Sequence, residues 1–302
     1  MFWLARYMER MDALSRLMEA ALLMAGLSNQ SEEWRSALIA AGCEPGFLKK
    51  YDEVTPERAA KYLGCDPDNP SSIMNCLEKA RVNARAMRTS LTRDMWDAVN
   101  GAWLEGRKFG PADFKPEMLP DTLDWARTVS TRFSGAYQST MLRNETYYFV
   151  KLGATVERAD NTARILDVKY HVLLPDYSGV GGMLDYYQWT SILRSVSAVR
   201  AYQWVYRDEV KPWNVAELLL LRPEMPRSLR ACYDDITTCL DAISTDHGGA
   251  RGECHRLAGA MSSRLRYGRI NDIFQSGLHE YLTEMIDQTG ELGEHIHAFY
   301  MK

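Results

Sequence analysis

The sequence predicts an all-α protein built as a multi-helix bundle. Three observations lead there. Nearly every segment repeats its apolar residues at helical spacing, and none alternates with period two for long enough to form a convincing strand. Cap and proline signals fall at the starts of these segments, as in Thr55-Pro56-Glu57. A charged pattern at the N-terminus, Glu9-Arg10-x-Asp12-x-x-x-Arg16, returns at mid-chain as Glu157-Arg158-x-Asp160-x-x-x-Arg164.

Taken in order, the first helix covers residues 2–25 and ends near Gly26. The second opens at Ser31-Glu32-Glu33-Trp34 and runs to Ala41, before Gly42. Thr55 caps a short helix reaching Leu63, and the Asp-, Asn- and Pro-rich stretch 65–70 is a turn. One long helix is expected from Ser71 or Ser72 to Glu105, carrying Arg81, Arg85 and Arg88 at i, i+4 and i+7. That basic stripe reads either as a solvated face or as a surface facing an anion. The segment 106–120 is a proline-bearing loop, and Asp121 caps a helix softened or broken at Ser134-Gly135-Ala136. The second Glu-Arg helix extends to about Leu174, and the glycine-bearing segment 175–182 follows as a linker. It lacks the Lys-Ser/Thr signature of a phosphate-binding loop, and no strand precedes it. A helix rich in Tyr and Trp is expected over 185–210, a short one over 212–221, and another from Arg227 or Ser228 to Ser244. Two last helices end at Arg266 and run over 271–300.

Composition narrows the function. The chain has 302 residues, 46% hydrophobic and 25% charged, the profile of an ordinary globular protein. A net charge of -4 without any Lys/Arg run argues against nucleic acid as a partner. No apolar stretch approaches the roughly 20 residues that span a bilayer, so no membrane segment is expected. Arg6, Glu9 and Arg10 interrupt any secretory apolar core. The first helix is under way by Trp3, an abrupt start that leads us to expect a few residues upstream. Six scattered cysteines without a CxxC pair fit reduced thiols in the cytoplasm. No metal is expected: His295 and His297 sit on different sides of a helix, and Val168 stands where a Glu-x-x-His pair with His171 would need its carboxylate.

The two charged copies agree at four charged positions, while the apolar positions between them match only in type. Helices that share only a fold should keep their apolar pattern and let surface charges drift. At about 100° per residue, Glu9, Asp12 and Arg16 fall in one narrow arc flanked by Ala5, Ala13 and Ala20. Arg10 falls among Leu14, Leu17, Ala21 and Met24, and Arg158 beside Thr162, Ile165 and Leu166. Each copy is therefore expected to turn one arginine inward and to hold a Glu-Asp-Arg cluster on a neighbouring face. Snorkelling arginines and ordinary intrahelical ion pairs are the plainer alternative. The chain is expected to be one helical domain, 1–302, and the duplication suggests two pseudo-equivalent sub-halves, 1–115 and 116–302, meeting around a shared polar centre.

The residues also resemble a known family. Arg6-Tyr7-Met8-Glu9-Arg10, Asn83-Ala84-Arg85-x-x-Arg88, Trp96-Asp97-x-x-Asn100, Met141-Leu142-Arg143, Gly153-x-x-x-Glu157-Arg158-Ala159-Asp160-x-Thr162-Ala163-Arg164, Leu193-Arg194-Ser195-Val196 and Pro226-Arg227-Ser228 together resemble the bacterial Alpha-E proteins. The first copy departs from that pattern, with Met11-Asp12-Ala13-Leu14-Ser15 where Ala-Glu-Asn-Thr-Ala is typical. The resemblance implies an all-helical protein associated with circularly permuted ATP-grasp ligases, and often with transglutaminase-like peptidases, in systems that form amide bonds on peptides or amino acids. ATP and Mg would then be held by the ATP-grasp partner, with no cofactor bound directly by this chain. In such a system Glu9, Arg10, Glu157, Arg158, Asp160 and Arg164 are the candidate catalytic residues, and Arg85, Arg88, Arg143 and Arg227 the candidate anion-binding ones. Arg227 is expected at a helix N-terminus, where free backbone N–H groups and a guanidinium together suit an anion. The alternative function is a non-catalytic helical adaptor that binds the ATP-grasp protein or its peptide. On that reading the Glu-Arg pairs are braces, and the aromatic helix 185–210 and the loop 175–184 are contact surfaces.

Overall fold

The computed structural model describes residues 1–26, 29–173 and 183–301. Fifteen α-helices and two short 3-10 turns account for the regular structure among them, with no strand. The helices are α1 (Phe2–Ala25), α2 (Gln30–Ala40), α3 (Glu44–Leu48), α4 (Pro56–Gly64), α5 (Ile73–Ala86), α6 (Arg93–Gly106), α7 (Leu119–Thr140), α8 (Glu145–Leu173), α9 (Met183–Ser195), α10 (Val199–Tyr206), α11 (Pro212–Leu220), α12 (Leu229–Asp246), α13 (Glu253–Tyr267), α14 (Ile270–Ser276) and α15 (Leu278–Tyr300). The chain packs as two compact units, Met1–Ala154 and Thr155–Lys302. The division expected at 115/116 thus lies inside the first unit, and the observed one falls within α8.

In the first unit α1 is central, packed against α2, α5 and α7. Fifteen of its 24 residues are buried, so it is enclosed on nearly every side rather than along one stripe. Met8, Met11, Leu14 and Met18 meet Leu77, Ala80, Leu123, Ala126 and Phe133 in the core. Gly153 explains how α8 joins this core: a Cβ there would lie 2.2 Å from the Phe2 carbonyl oxygen, so only glycine allows the approach.

In the second unit α12 packs against α11 and α13, and α13 and α14 against α15. Leu218, Leu219, Tyr233, Ile236, Leu240, Met261, Leu265, Leu282 and Met285 are buried within it.

Local chemistry sets most boundaries. Thr55, Ser72, Thr92 and Ser228 are extended-backbone N-caps whose hydroxyls accept from Arg58, Asn75, Met95 and Ala231 N–H. Three expected helices are broken. The long helix 71–105 is α5 and α6, because the Thr92 cap restarts the chain after Met87 and the 3-10 turn Arg88–Ser90. The aromatic helix 185–210 is α9 and α10. Ser197, at φ 55, closes α9 with Ala198 N–H on Leu193 C=O (2.6 Å) and Ser197 N–H on Arg194 C=O (2.9 Å), the Schellman pattern. The last helix is split at Gly277, φ 98, into α14 and α15. Conversely, α7 runs unbroken through Gly135 to Thr140, and α3 is a helix the sequence reading does not anticipate. The linker segment 175–182 lies outside the described residues.

Candidate functional site

Both Glu-Arg copies sit on long helices, and each repeats one ion pair. Arg16 Nε lies 2.8 Å from Asp12 Oδ2 on α1, and Arg164 Nε lies 2.8 Å from Asp160 Oδ2 on α8. The i, i+4 spacing with the carboxylate N-terminal to the cation is the favourable order on a helix.

The burial differs from the helical-wheel expectation. The carboxylates, not the arginines, are the most enclosed groups: Glu9 is 8% exposed, Asp12 4% and Glu157 1%. Arg10 and Arg158 are only half-buried. Arg10 Nη1 reaches Ser71 Oγ at 3.3 Å, and its guanidinium stands 6.0 Å from the Tyr7 ring centroid. For Arg10 the helical wheel fails because α1 is enclosed on its polar arc as well as its apolar one.

The copies diverge where the sequences do. Thr162 Oγ1 donates to the Arg227 carbonyl at 2.9 Å, tying the second copy to the start of α12. Its counterpart Leu14 is a buried core residue. Asn161 Nδ2 is buried with no hydrogen-bond partner among the described residues, whereas its counterpart is Ala13. A buried donor left unspent costs stability, and such groups mark strain or function. Neither Asn161 nor Thr162 is given a role from the sequence; the available signal is their polarity at positions that are apolar in the first copy, Ala13 and Leu14.

The charge on Asp160 also acts on a buried tyrosine. Tyr233 Oη and Thr289 Oγ1 are 2.7 Å apart, and Thr289 Oγ1 donates to Met285 C=O. Burial drives the Tyr233 phenol well above its ordinary value; its bond to Thr289 opposes the rise and the charge on Asp160 adds to it. Tyr233 is therefore a neutral hydroxyl at physiological pH. The Asp160–Arg164 pair keeps more contact with solvent than the first copy's, its side chains 15% and 34% exposed against 6% and 19% for Asp12 and Arg16.

The remaining arginines are dispersed. Arg227 precedes α12, and Ser228 caps that helix, its Oγ accepting from Ala231 N–H at 3.0 Å and donating to Arg222 C=O at 2.6 Å. Arg85 is exposed near the end of α5. Arg88 lies in the 3-10 turn with its guanidinium 4.9 Å from the Trp96 ring centroid, so the expected i+7 register of the stripe is lost. Arg81 remains on α5, bonded to Asn100 Oδ1 at 3.1 Å and stacked over Trp103. Arg143 is exposed in the turn between α7 and α8. Among the described residues, no three His, Cys, Asp or Glu side chains gather as a metal site would need, and no helix is long and apolar enough to cross a membrane.

Comparison with known proteins places the chain in a family. Two relatives are uncharacterized proteins of Mycobacterium bovis and Mycobacterium tuberculosis, each 22% identical over 316 residues that cover 95% of this chain and 34% of the relative. The chain thus spans about a third of the length of these curated relatives. No solved structure matches. Residues 1–301 match Alpha-E, described as a predicted alpha-helical domain with a conserved ER motif. With that motif standing twice in its sequence, at Glu9-Arg10 and Glu157-Arg158, the chain belongs to the Alpha-E family.

Proposed function

We propose that the chain is a working subunit of a cytoplasmic, ATP-dependent amide-forming system, acting with an ATP-grasp partner on a peptide or amino-acid carboxylate. The partner would hold ATP and Mg and convert the carboxylate to an acyl phosphate, releasing ADP. An amine then attacks the acyl carbon, its proton passes to a carboxylate, and inorganic phosphate leaves. Such a step needs donors for the oxygen that becomes negative, cations for the phosphate and a base for the amine.

The observation that carries this reading is Asn161 Nδ2, a buried donor with no hydrogen-bond partner among the described residues, next in sequence to the Asp160–Arg164 pair. The second copy holds all three kinds of group on one helix. Asp160 would take the amine proton, Arg158 and Arg164 would meet the phosphate, and Asn161 would serve the carbonyl oxygen. Glu157, at 1% exposure, is a positioning residue on this reading. The first copy, with Ala13 and Leu14 at the matching positions, is a brace: Glu9, Arg10 and Asp12 hold α1 in place. Arg85, Arg88 and Arg143 are the exposed cations available to an anionic substrate or partner.

The test is a ligation assay read by mass spectrometry, with the ATP-grasp protein, a short acceptor peptide and this chain. Asp160→Asn, Asn161→Ala and Arg158→Ala should each lower product formation by about tenfold or more while melting within a few degrees of wild type. Asp12→Asn and Arg10→Ala should instead lower the melting temperature and leave the product per folded molecule unchanged. Full product from the ATP-grasp protein alone would refute the assignment.

A second reading, the adaptor, is favoured by one observation: Trp204 is 79% exposed and Tyr186 45%, and aromatic side chains are enriched at protein interfaces. Trp204→Ala that abolishes co-purification with the ATP-grasp protein, combined with fully active Asp160→Asn, would select it.

A further inference from the structure

We propose that the groove between α12 and α13 binds a small molecule of amino-acid to dipeptide size that carries both a carboxylate and an amino group. The groove has a volume of about 350 Å³, at the lower end of small-molecule sites. His255, Gly259, Ser262 and Arg266 line it from α13 at i, i+4, i+7 and i+11, one face of the helix. Asp241 contributes from α12.

Gly259 is the informative residue. A glycine inside a helix costs about 1 kcal/mol relative to alanine. Here no packing demand explains it, because a Cβ at this position would meet nothing within 4 Å. Its backbone does not require glycine either, since Gly259 is absent from the positive-φ residues. Because Gly259 lines the groove, a side chain there would enter it.

The charges at the groove are held in place but not exhausted. Arg266 Nη2 lies 2.8 Å from Asp234 Oδ1, which Ser262 Oγ also reaches at 3.2 Å. Arg251 Nη2 lies 2.8 Å from Asp241 Oδ1. A guanidinium has five N–H donors, so each arginine can grip a carboxylate without leaving its partner. Arg266 is 51% exposed and Asp241 58%, so both are accessible to a ligand. Arg251 and Arg266 are matched at the groove by Asp241 and Asp234, and the remaining donors of Arg266 suit a ligand carboxylate while the remaining acceptor sites of Asp241 suit an ammonium. His255 is a wall rather than a base: its Nδ1 accepts from Gly252 N–H at 3.1 Å, which assigns the ring proton to Nε2, 3.3 Å from Leu240 C=O.

Isothermal titration with diglycine tests this, with N-acetylglycine and inorganic phosphate as comparison ligands. Diglycine should bind saturably at one site. Gly259→Leu, which fills the groove, should abolish binding, and Arg266→Gln should weaken it roughly tenfold, the loss of a charge-assisted pair. Gly259→Ala should melt higher than wild type yet bind more weakly, which keeps the test decisive if Gly259→Leu misfolds. The proposal is overturned if diglycine does not bind, if the Gly259 variants bind it as wild type does, or if N-acetylglycine or phosphate binds as tightly.

Discussion

Asp66 shows what a single charge does in the first unit. Its side chain is fully buried, and Lys50 Nζ contacts both carboxylate oxygens at 2.8 and 2.9 Å. The Asp68 amide donates at 3.0 Å and the Tyr51 hydroxyl at 3.3 Å. Burial alone would raise this carboxyl; the hydrogen bonds from Lys50, Asp68 and Tyr51 together outweigh it and hold it below the usual aspartate range. A folded value below the unfolded one gives stability that is complete at neutral pH, begins to fall at about pH 4 and is gone once the folded carboxyl protonates. Asp66→Asn should therefore cost about 1–3 kcal/mol at pH 7, as expected for hydrogen bonds to a charged acceptor. Urea unfolding at pH 7 and pH 3 checks this, and the cost should shrink at the lower pH. An equal loss at both would remove the charge from the account. The sequence identifies 65–70 as a turn from its Asp, Asn and Pro residues, but the partner Lys50 lies 16 residues away and only the fold brings it there.

Whole elements were legible where their signals are local. The Thr55 cap is read from the hydroxyl before its helix and stands as expected, and of the starts left open at Ser71 or Ser72 and at Arg227 or Ser228 the caps are Ser72 and Ser228. The end of α9 was not, because the left-handed position after a helix usually holds glycine and here holds Ser197. The burial of Glu9 was not legible either, because a helical wheel ranks faces by polarity and α1 is enclosed on both, and that of Glu157 was not because a glutamate is read as surface by its charge. Helical glycines make the same point, since identical residues do opposite things. Gly153→Ala sets a Cβ 2.2 Å from a backbone oxygen that cannot move aside, and should destabilise by about 3 kcal/mol. Gly101→Ala on α6 meets nothing within 4 Å and should stabilise by about 1 kcal/mol. Thermal melts of the two variants should shift in opposite directions, and a shift of the same sign in both would refute the close approach of α8 to Phe2.

At the scale of the whole molecule, α8 is the element common to both units. It is 29 residues long, about 43 Å at 1.5 Å per residue, and the boundary at Ala154/Thr155 cuts through it. Val150 and Ala154 serve the core of the first unit. Val156, Ala159, Ala163 and Leu166, all buried, lie beyond the boundary in the second. Helix formation is cooperative, so residues on one side of such a boundary stabilise the turn on the other. A strained Gly153→Ala should then loosen more than its own unit. Hydrogen exchange followed by mass spectrometry would compare wild type and Gly153→Ala in peptides covering α5, the 155–168 part of α8, and α12. Faster exchange is expected in all three, with α5 and α8 most affected. Because Asp160, Asn161 and Arg164 lie on that second part of α8, the function proposed above requires the same variant to lower ligation without touching any of them. Faster exchange in α5 alone would mean that the units open independently, and that the candidate site is held entirely by the second.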